Sequence, residues 1–180
     1  SGACHGAAAG KNGFKLSLRG YDPENDFLTI TRQSRGRRIV PSDPGRSLFL
    51  TKPTGVIPHK GGIRFEPASL DYAVLAEWLA AGHPAPAADD PRMTKLEILP
   101  QHIVVTPGQT QQLSVLAHFS DGHVEEVTQW AKYSSTNVTA ASVDDNGFVT
   151  VNGSGETAIV AWYLATNVVA EVTVPYSQAI

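Results

Sequence analysis

The first residues that could do chemistry are Cys4 and His5, in the run "SGACHG" from Ser1 to Gly6. A cysteine thiol can add across a haem vinyl group to form a thioether, and a histidine directly after it can ligate the iron. The complete attachment motif has another cysteine three residues earlier, and Ser1 occupies that place. The adjacency therefore predicts half of a c-type haem site, the alternative being a small buried thiol beside a surface histidine.

Four arginines lie close together in "RQSRGRR", at Arg32, Arg35, Arg37 and Arg38. Guanidinium groups pair with carboxylates, so this cluster can hold haem propionates or dock an acidic redox partner. A solvated basic loop is the third interpretation. Nucleic-acid binding needs a broader basic field with interleaved aromatic residues, and we expect no such partner.

Length and charge favour two domains. A chain of 180 residues is long enough for two small cores. Residues 1–92 carry 12 Lys and Arg against 9 Asp and Glu, whereas residues 93–180 carry 2 against 8. The proline-rich stretch "AGHPAPAADDPRM" predicts a linker. We place the linker at residues 86–93, between a first domain at 1–85 and a second at 94–180.

Several function classes lack support in the sequence. No apolar run approaches the roughly 18 residues of a membrane span. The single cysteine excludes an internal disulfide. There is no G-x-S-x-G or H-E-x-x-H motif, so we predict no catalytic residues and no enzyme activity for this stretch of chain. Because the chain opens on Ser1 beside its most suggestive motif, we expect a piece of a longer protein.

One helix is predicted with both of its ends. Ser69 is a suitable N-cap for "LDYAVLAEWLA", and Leu75, Trp78 and Leu79 recur at helical spacing. Gly82 marks the stop. The rest of the first domain is rich in turns, such as the one expected at Asp22-Pro23. We predict a small, mostly helical domain with many loops, whose core is completed by something other than its own side chains.

After the linker the apolar period changes from about 3.6 to 2, which predicts strands. Turn signals such as Asp121-Gly122 and Asn146-Gly147 recur about every ten residues. Some seven short strands predict a β-sandwich. Its expected core residues are Leu96, Ile98, Val105, Leu113, Val115, Trp130, Val149, Ile159 and Val172.

The second domain resembles the group 2 bacterial immunoglobulin-like family. The resemblance rests on "TKLEILPQHIVVTPGQTQQLSVLAHFSDG", "EEVTQWAKYSST", "ASVDDNGFVTVNGSGETAIVAWY" and "AEVTVPY". It implies a surface or periplasmic module that spaces, adheres or binds, without catalytic residues.

The first domain is similar to the cytochrome-c-like module of large secreted planctomycete-type proteins, in which an Ig-like domain follows. The matching stretches are "SGACHGAAAGKNGFKLSLRGYDP", "RRIVPSDPGRSLFLTKPTGVIPHKGG" and "YAVLAEWLAAG". The family implies a C-x4-C-H spacing, which would put the other haem cysteine two residues before Ser1. It also implies a cofactor, haem c, with His5 on the iron.

The second axial ligand is expected in the loop "GVIPHKGG". Small cytochromes often place a methionine before a proline here, but Ile57 stands in that place and cannot ligate iron. His59 is two residues away, so we assign it as the distal ligand, against a solvent-exposed loop histidine. Met93 and His83 are weaker candidates.

These observations predict a haem-binding electron-transfer module carried on an Ig-like spacer in a periplasmic or extracellular bacterial protein. Its partners would be a redox protein or further domains of the parent chain. The alternative is a non-catalytic Ig-like module that binds a surface or carbohydrate, with a degenerate haem site. Trp162 and Tyr163 are candidates for a carbohydrate-stacking platform, the alternative being residues of the core or of the sandwich edge.

Overall fold

The computed structural model describes residues 5–6, 10–17 and 19–176. The chain divides into two compact units, residues 1–88 and 89–180. The two units are described separately below.

The first unit contains less helix than the sequence predicts. Its α-helices are α1 (Pro23–Thr31), α2 (Leu48–Thr51) and α3 (Leu70–Ala80), with short 3-10 helices at Gln33–Gly36 and Pro44–Arg46. His5 is also helical, and most of the remaining described residues form turns and loops. The described residues of this unit thus contain little helix, and the prediction of a mostly helical domain is wrong. Pro53 follows α2 and Gly82 follows α3 within two residues, and both residue types disfavour continuation of a helix.

Side-chain caps fix where two of these helices begin. Ser69 accepts a hydrogen bond from the backbone N–H of Tyr72 at the start of α3, as predicted. Asp22 does the same for α1, accepting from the N–H of Asn25, with Pro23 in the first helical position. The predicted turn at Asp22-Pro23 is thus the start of a helix, a position that suits proline because the missing N–H has no helical partner there.

The second unit is built from ten strands in three sheets. The strands are β1 (Met93–Leu99), β2 (His102–Val104), β3 (Thr110–Gln112), β4 (Ser114–Phe119), β5 (Val124–Glu126), β6 (Lys132–Ser135), β7 (Ala141–Val143), β8 (Phe148–Val151), β9 (Gly155–Tyr163) and β10 (Thr166–Val174). The sheet orders are β1-β4-β5, β2-β10-β9-β6 and β3-β8-β7. All neighbours are antiparallel except β2 and β10.

The core of the second unit follows the predicted alternation. Seven of the nine expected core residues are buried, and Val105 and Trp130 are partly buried against the same cluster. Of the buried apolar residues in the described chain, 17 lie in this unit and only Leu50 and Leu79 lie in the first. The sandwich therefore has a continuous apolar core, whereas the first unit has only a small one.

Candidate functional site

The His5 imidazole is held in one orientation by the segment that follows it. Its Nδ1 lies 2.9 Å from the carbonyl oxygen of Phe14, and the backbone oxygen of His5 accepts from the N–H of Leu16 at 2.8 Å. Because a carbonyl can only accept, the His5 Nδ1 carries the proton. The Nε2 of the neutral ring keeps its lone pair, which is the form that binds a metal.

The structure brings His59 opposite His5. Their ring centroids lie 6.1 Å apart and their planes differ by 7°. The Nδ1 of His59 is buried and has no hydrogen-bond partner among the described residues. An imidazole centroid lies about 1 Å from its nitrogens and a His–metal bond is about 2 Å long, so two rings on opposite sides of one ion have centroids about 6 Å apart. The observed separation matches this value, although it also lies within the range of plain ring–ring contacts.

Both histidines line a cavity of about 770 Å³ in the first unit. Its apolar wall includes Phe14, Leu48 and Phe49. Trp78 does not line the cavity and instead packs edge-on against Phe49, with the ring centroids 6.4 Å apart. The volume is typical of sites for small molecules and cofactors.

The charged residues of this cavity are all cationic. Among the described residues, six cations and no carboxylate line it: Lys11, Arg37, Arg38, Lys52, Lys60 and Arg64. Of the predicted arginine cluster, Arg32 and Arg35 do not line the cavity. Of the four that sequence analysis missed, Lys11 precedes α1, and Lys52, Lys60 and Arg64 are spread along the segment between α2 and α3, so they form no compact cluster in the sequence.

Arg38 is the buried member of this set, with 7% of its surface exposed. Its Nη1 donates to the carbonyl oxygen of Thr29 at 2.6 Å, and its guanidinium carbon lies 4.4 Å from the Phe14 ring centroid. Burial lowers the pKa of Arg38 below its ordinary value, and the charge of Arg37 lowers it further. A buried cation without a carboxylate partner favours an anionic occupant of the cavity.

Of the remaining ligand candidates, Cys4 is outside the described residues. Met93 begins β1, opposite Phe119 on β4, and His83 packs against Trp78 and Phe27 rather than lining the cavity. Within the described residues, no cluster of three or more His, Cys, Asp and Glu could hold a metal ion.

The histidines of the second unit each pair with carboxylates rather than with one another. His102 lies 3.1 Å from Glu171, His118 lies 3.0 Å from Glu97, and His123 contacts Asp121 and Glu125. In the Asp144–Gly147 turn, Asp144 accepts from the N–H groups of Asn146 and Phe148, both at 2.8 Å. This carboxylate therefore stabilises a hairpin turn, as its position in the sequence indicates.

Trp162 and Tyr163 do not form a shared platform. They are consecutive residues of β9, so their side chains point to opposite faces of the sheet. Tyr163 packs against the apolar core, and its burial raises the pKa of its hydroxyl. The proposed pairing of these two residues is wrong, because the period-2 alternation of a strand separates neighbours.

The chain was compared with known proteins. No curated protein matches it. Among solved structures, it is similar to domains 4 and 5 of the S-layer protein SbsC (18% identity, 48% of this chain and 54% of that one, TM-score 0.43). Domains 5–6 of SbsC give 19% identity over 48% of this chain and 45% of that one, with a TM-score of 0.41. The chain thus spans about half the length of these two structures.

The family comparison concerns the second unit. Residues 92–174 match the model of the bacterial Ig-like domain (group 2). This range contains all ten strands and the apolar core that they enclose. No helix among the described residues is long and apolar enough to span a membrane. The second unit is thus similar to group 2 bacterial Ig-like domains over residues 92–174.

Proposed function

We propose that the first unit is a cytochrome-c-like, haem-binding electron-transfer module and that the Ig-like domain carries it in a periplasmic or extracellular protein. The observation that carries the proposal is the pair of nearly parallel imidazoles of His5 and His59, whose ring centroids lie 6.1 Å apart in one cavity. Haem iron supplies one-electron chemistry, since it alternates between two oxidation states. In this proposal the imidazoles of His5 and His59 would hold the iron, and the Cys4 thiol would hold the haem through a thioether.

The cavity has the chemistry that such a group needs. A haem is flat, apolar on its faces and anionic at its propionates, and the wall combines Phe14 and Phe49 with six cationic side chains. Arg38 is rigidly held by hydrogen bonds to Thr29, Gln33 and Ser34, so its charge is already in place before a ligand arrives. Binding then costs little side-chain entropy at this position.

The covalent part of the proposal is tested by export of the natural-length protein in a host with c-type haem maturation. We expect a sharp reduced α-band and colour that stays with the protein through acid–acetone extraction. Cys4→Ser is the control, and mass analysis of the haem-bearing peptide should show that the thioether at Cys4 is lost, leaving only a link through the cysteine expected two residues before Ser1. A colourless, folded protein would overturn the proposal.

A second candidate rests on the family match alone. In it the chain is a non-catalytic module for spacing, adhesion or surface binding, and the histidine pair is the remains of a lost site. A cooperative unfolding transition of the first unit that haem does not shift, together with retention of the chain on a cell-surface or glycan matrix, would favour this candidate.

A further inference from the structure

Gly61 lies directly against the His59 ring. A Cβ built on Gly61 would be 2.5 Å from the Cε1 of His59 and 3.1 Å from each of its ring nitrogens. Real Cβ atoms do not approach other heavy atoms to 2.5 Å, so an alanine here would force the imidazole to move. The space that His59 occupies therefore exists because residue 61 has no side chain.

The backbone does not explain this glycine. Gly55 and Gly62 in the same loop have φ angles of +78° and +70°, values that favour glycine over other residues. Gly61 does not have a φ in this left-handed region. A left-handed backbone therefore does not require glycine at residue 61, whereas the space beside the His59 imidazole does.

Among the described residues, no hydrogen bond holds the Nδ1 of His59 in place, in contrast to the Nδ1 of His5, which donates to the carbonyl oxygen of Phe14. The ring orientation thus depends on packing, and Gly61 forms one side of that packing.

We propose that Gly61 is a positioning residue, which lets the His59 imidazole face His5 across the cavity so that both rings can ligate one iron. This inference rests on the proposed function and deepens it. Gly61→Ala should push the ring away and vacate one axial position, while all the atoms of His59 stay in the protein.

The test compares the haem-loaded wild-type chain with Gly61→Ala. We expect a six-coordinate, low-spin spectrum for the wild type and a high-spin or mixed spectrum for the variant. Cyanide affinity should rise about tenfold or more in the variant, because cyanide no longer has to displace His59.

Gly45→Ala is the matched control: its φ is not left-handed, and its Cβ would meet Tyr72 and Asp43 only at ordinary distances of 3.6 and 3.7 Å. Its spectrum should equal that of the wild type.

A double-mutant comparison separates the effect on the ring from an effect on the loop. In the haem-free chain, Gly61→Ala should lower the melting temperature of the first unit, and the same change in a His59→Ala background should not. Equal losses in both backgrounds would overturn the inference, as would an unchanged spectrum in Gly61→Ala. A wild-type chain that never gives the low-spin spectrum would instead refute the proposed function, and with it the part of Gly61 in ligation. The melting comparison would still decide whether residue 61 and the His59 ring are sterically coupled.

Discussion

At the scale of single residues, the positive charge buried at Arg38 should decide how strongly the cavity binds an anion. Arg38→Gln removes that charge but keeps a hydrogen-bonding side chain. We expect haem affinity to fall about tenfold or more, because a hydrogen bond to a charged group contributes about 1.5–3 kcal/mol. Titration of the haem-free chain with hemin measures the change. Arg46→Gln, outside the cavity lining, should bind as the wild type does, and equal losses in both variants would contradict a specific role for Arg38.

His123 in the second unit offers a pH-dependent test. Its hydrogen bond with Asp121 raises its pKa, as do the charges of Asp121 and Glu125. The folded-state pKa is above the unfolded one, so the pair stabilises the fold fully below the ordinary histidine pKa. This contribution is lost as the pH rises through the raised value. NMR titration should show a midpoint for His123 above the ordinary value, and Asp121→Asn should lower it. An unchanged midpoint in that variant would refute this cause.

Sequence reasoning identifies the chemistry-bearing side chains of the candidate site but not their surroundings. The adjacency of Cys4 and His5 and the loop position of His59 are readable from residue types. The cations Lys52 and Arg64 are not, because they are twelve residues apart in the segment between α2 and α3 and only the fold brings both to the cavity. The role of Gly61 cannot be predicted from the sequence for another reason: it depends on the distance between Gly61 and the His59 ring in the folded chain.

At the scale of elements, strand β9 contributes fully buried side chains to the apolar core of the second unit. Ile159 is fully buried there, and it pairs across to Ala170 of β10 and Ser135 of β6. Ile159→Ala should lower the free energy of unfolding by about 2–5 kcal/mol through lost burial and a residual cavity. Val104→Ala is the control, since that side chain is 74% exposed. Denaturant unfolding measures both changes, and similar losses would contradict the assignment of the core.

Regular elements follow from local pattern where one face is buried. The cap at Ser69, the helix after it and the alternating strands are predicted because burial imposes a period on the sequence. Strand β5 carries no such signal, since Val124–Glu126 are all exposed. Helix α1 is not among the predicted elements, because Asp22-Pro23 is typical of a turn as well as of a helix start, and the sequence analysis assigns a turn there.

At the scale of the whole molecule, the two units should differ in stability when no haem is bound. Among the described residues of the first unit, Leu50 and Leu79 alone are buried apolar side chains, and the unit contains a cavity of about 770 Å³. Without haem it should unfold and be cleaved by protease before the Ig-like domain. Limited proteolysis with mass analysis checks the order, and a first unit that outlasts the second would contradict it.

Haem binding should then stabilise one unit alone. A ligand at 100 times its dissociation constant adds about 2.7 kcal/mol to the unit that binds it. Calorimetry should therefore show the first unit's transition moving to higher temperature while that of residues 92–174 stays in place.

The most direct measurement of the central claim is the optical and electron paramagnetic resonance spectrum of the haem-loaded chain, with His5→Ala and His59→Ala beside it. The proposal predicts a low-spin bis-imidazole signal in the wild type and its loss in each variant, because one axial nitrogen comes from each ring. A low-spin signal that survives His59→Ala, or a chain that takes up no haem, would contradict it.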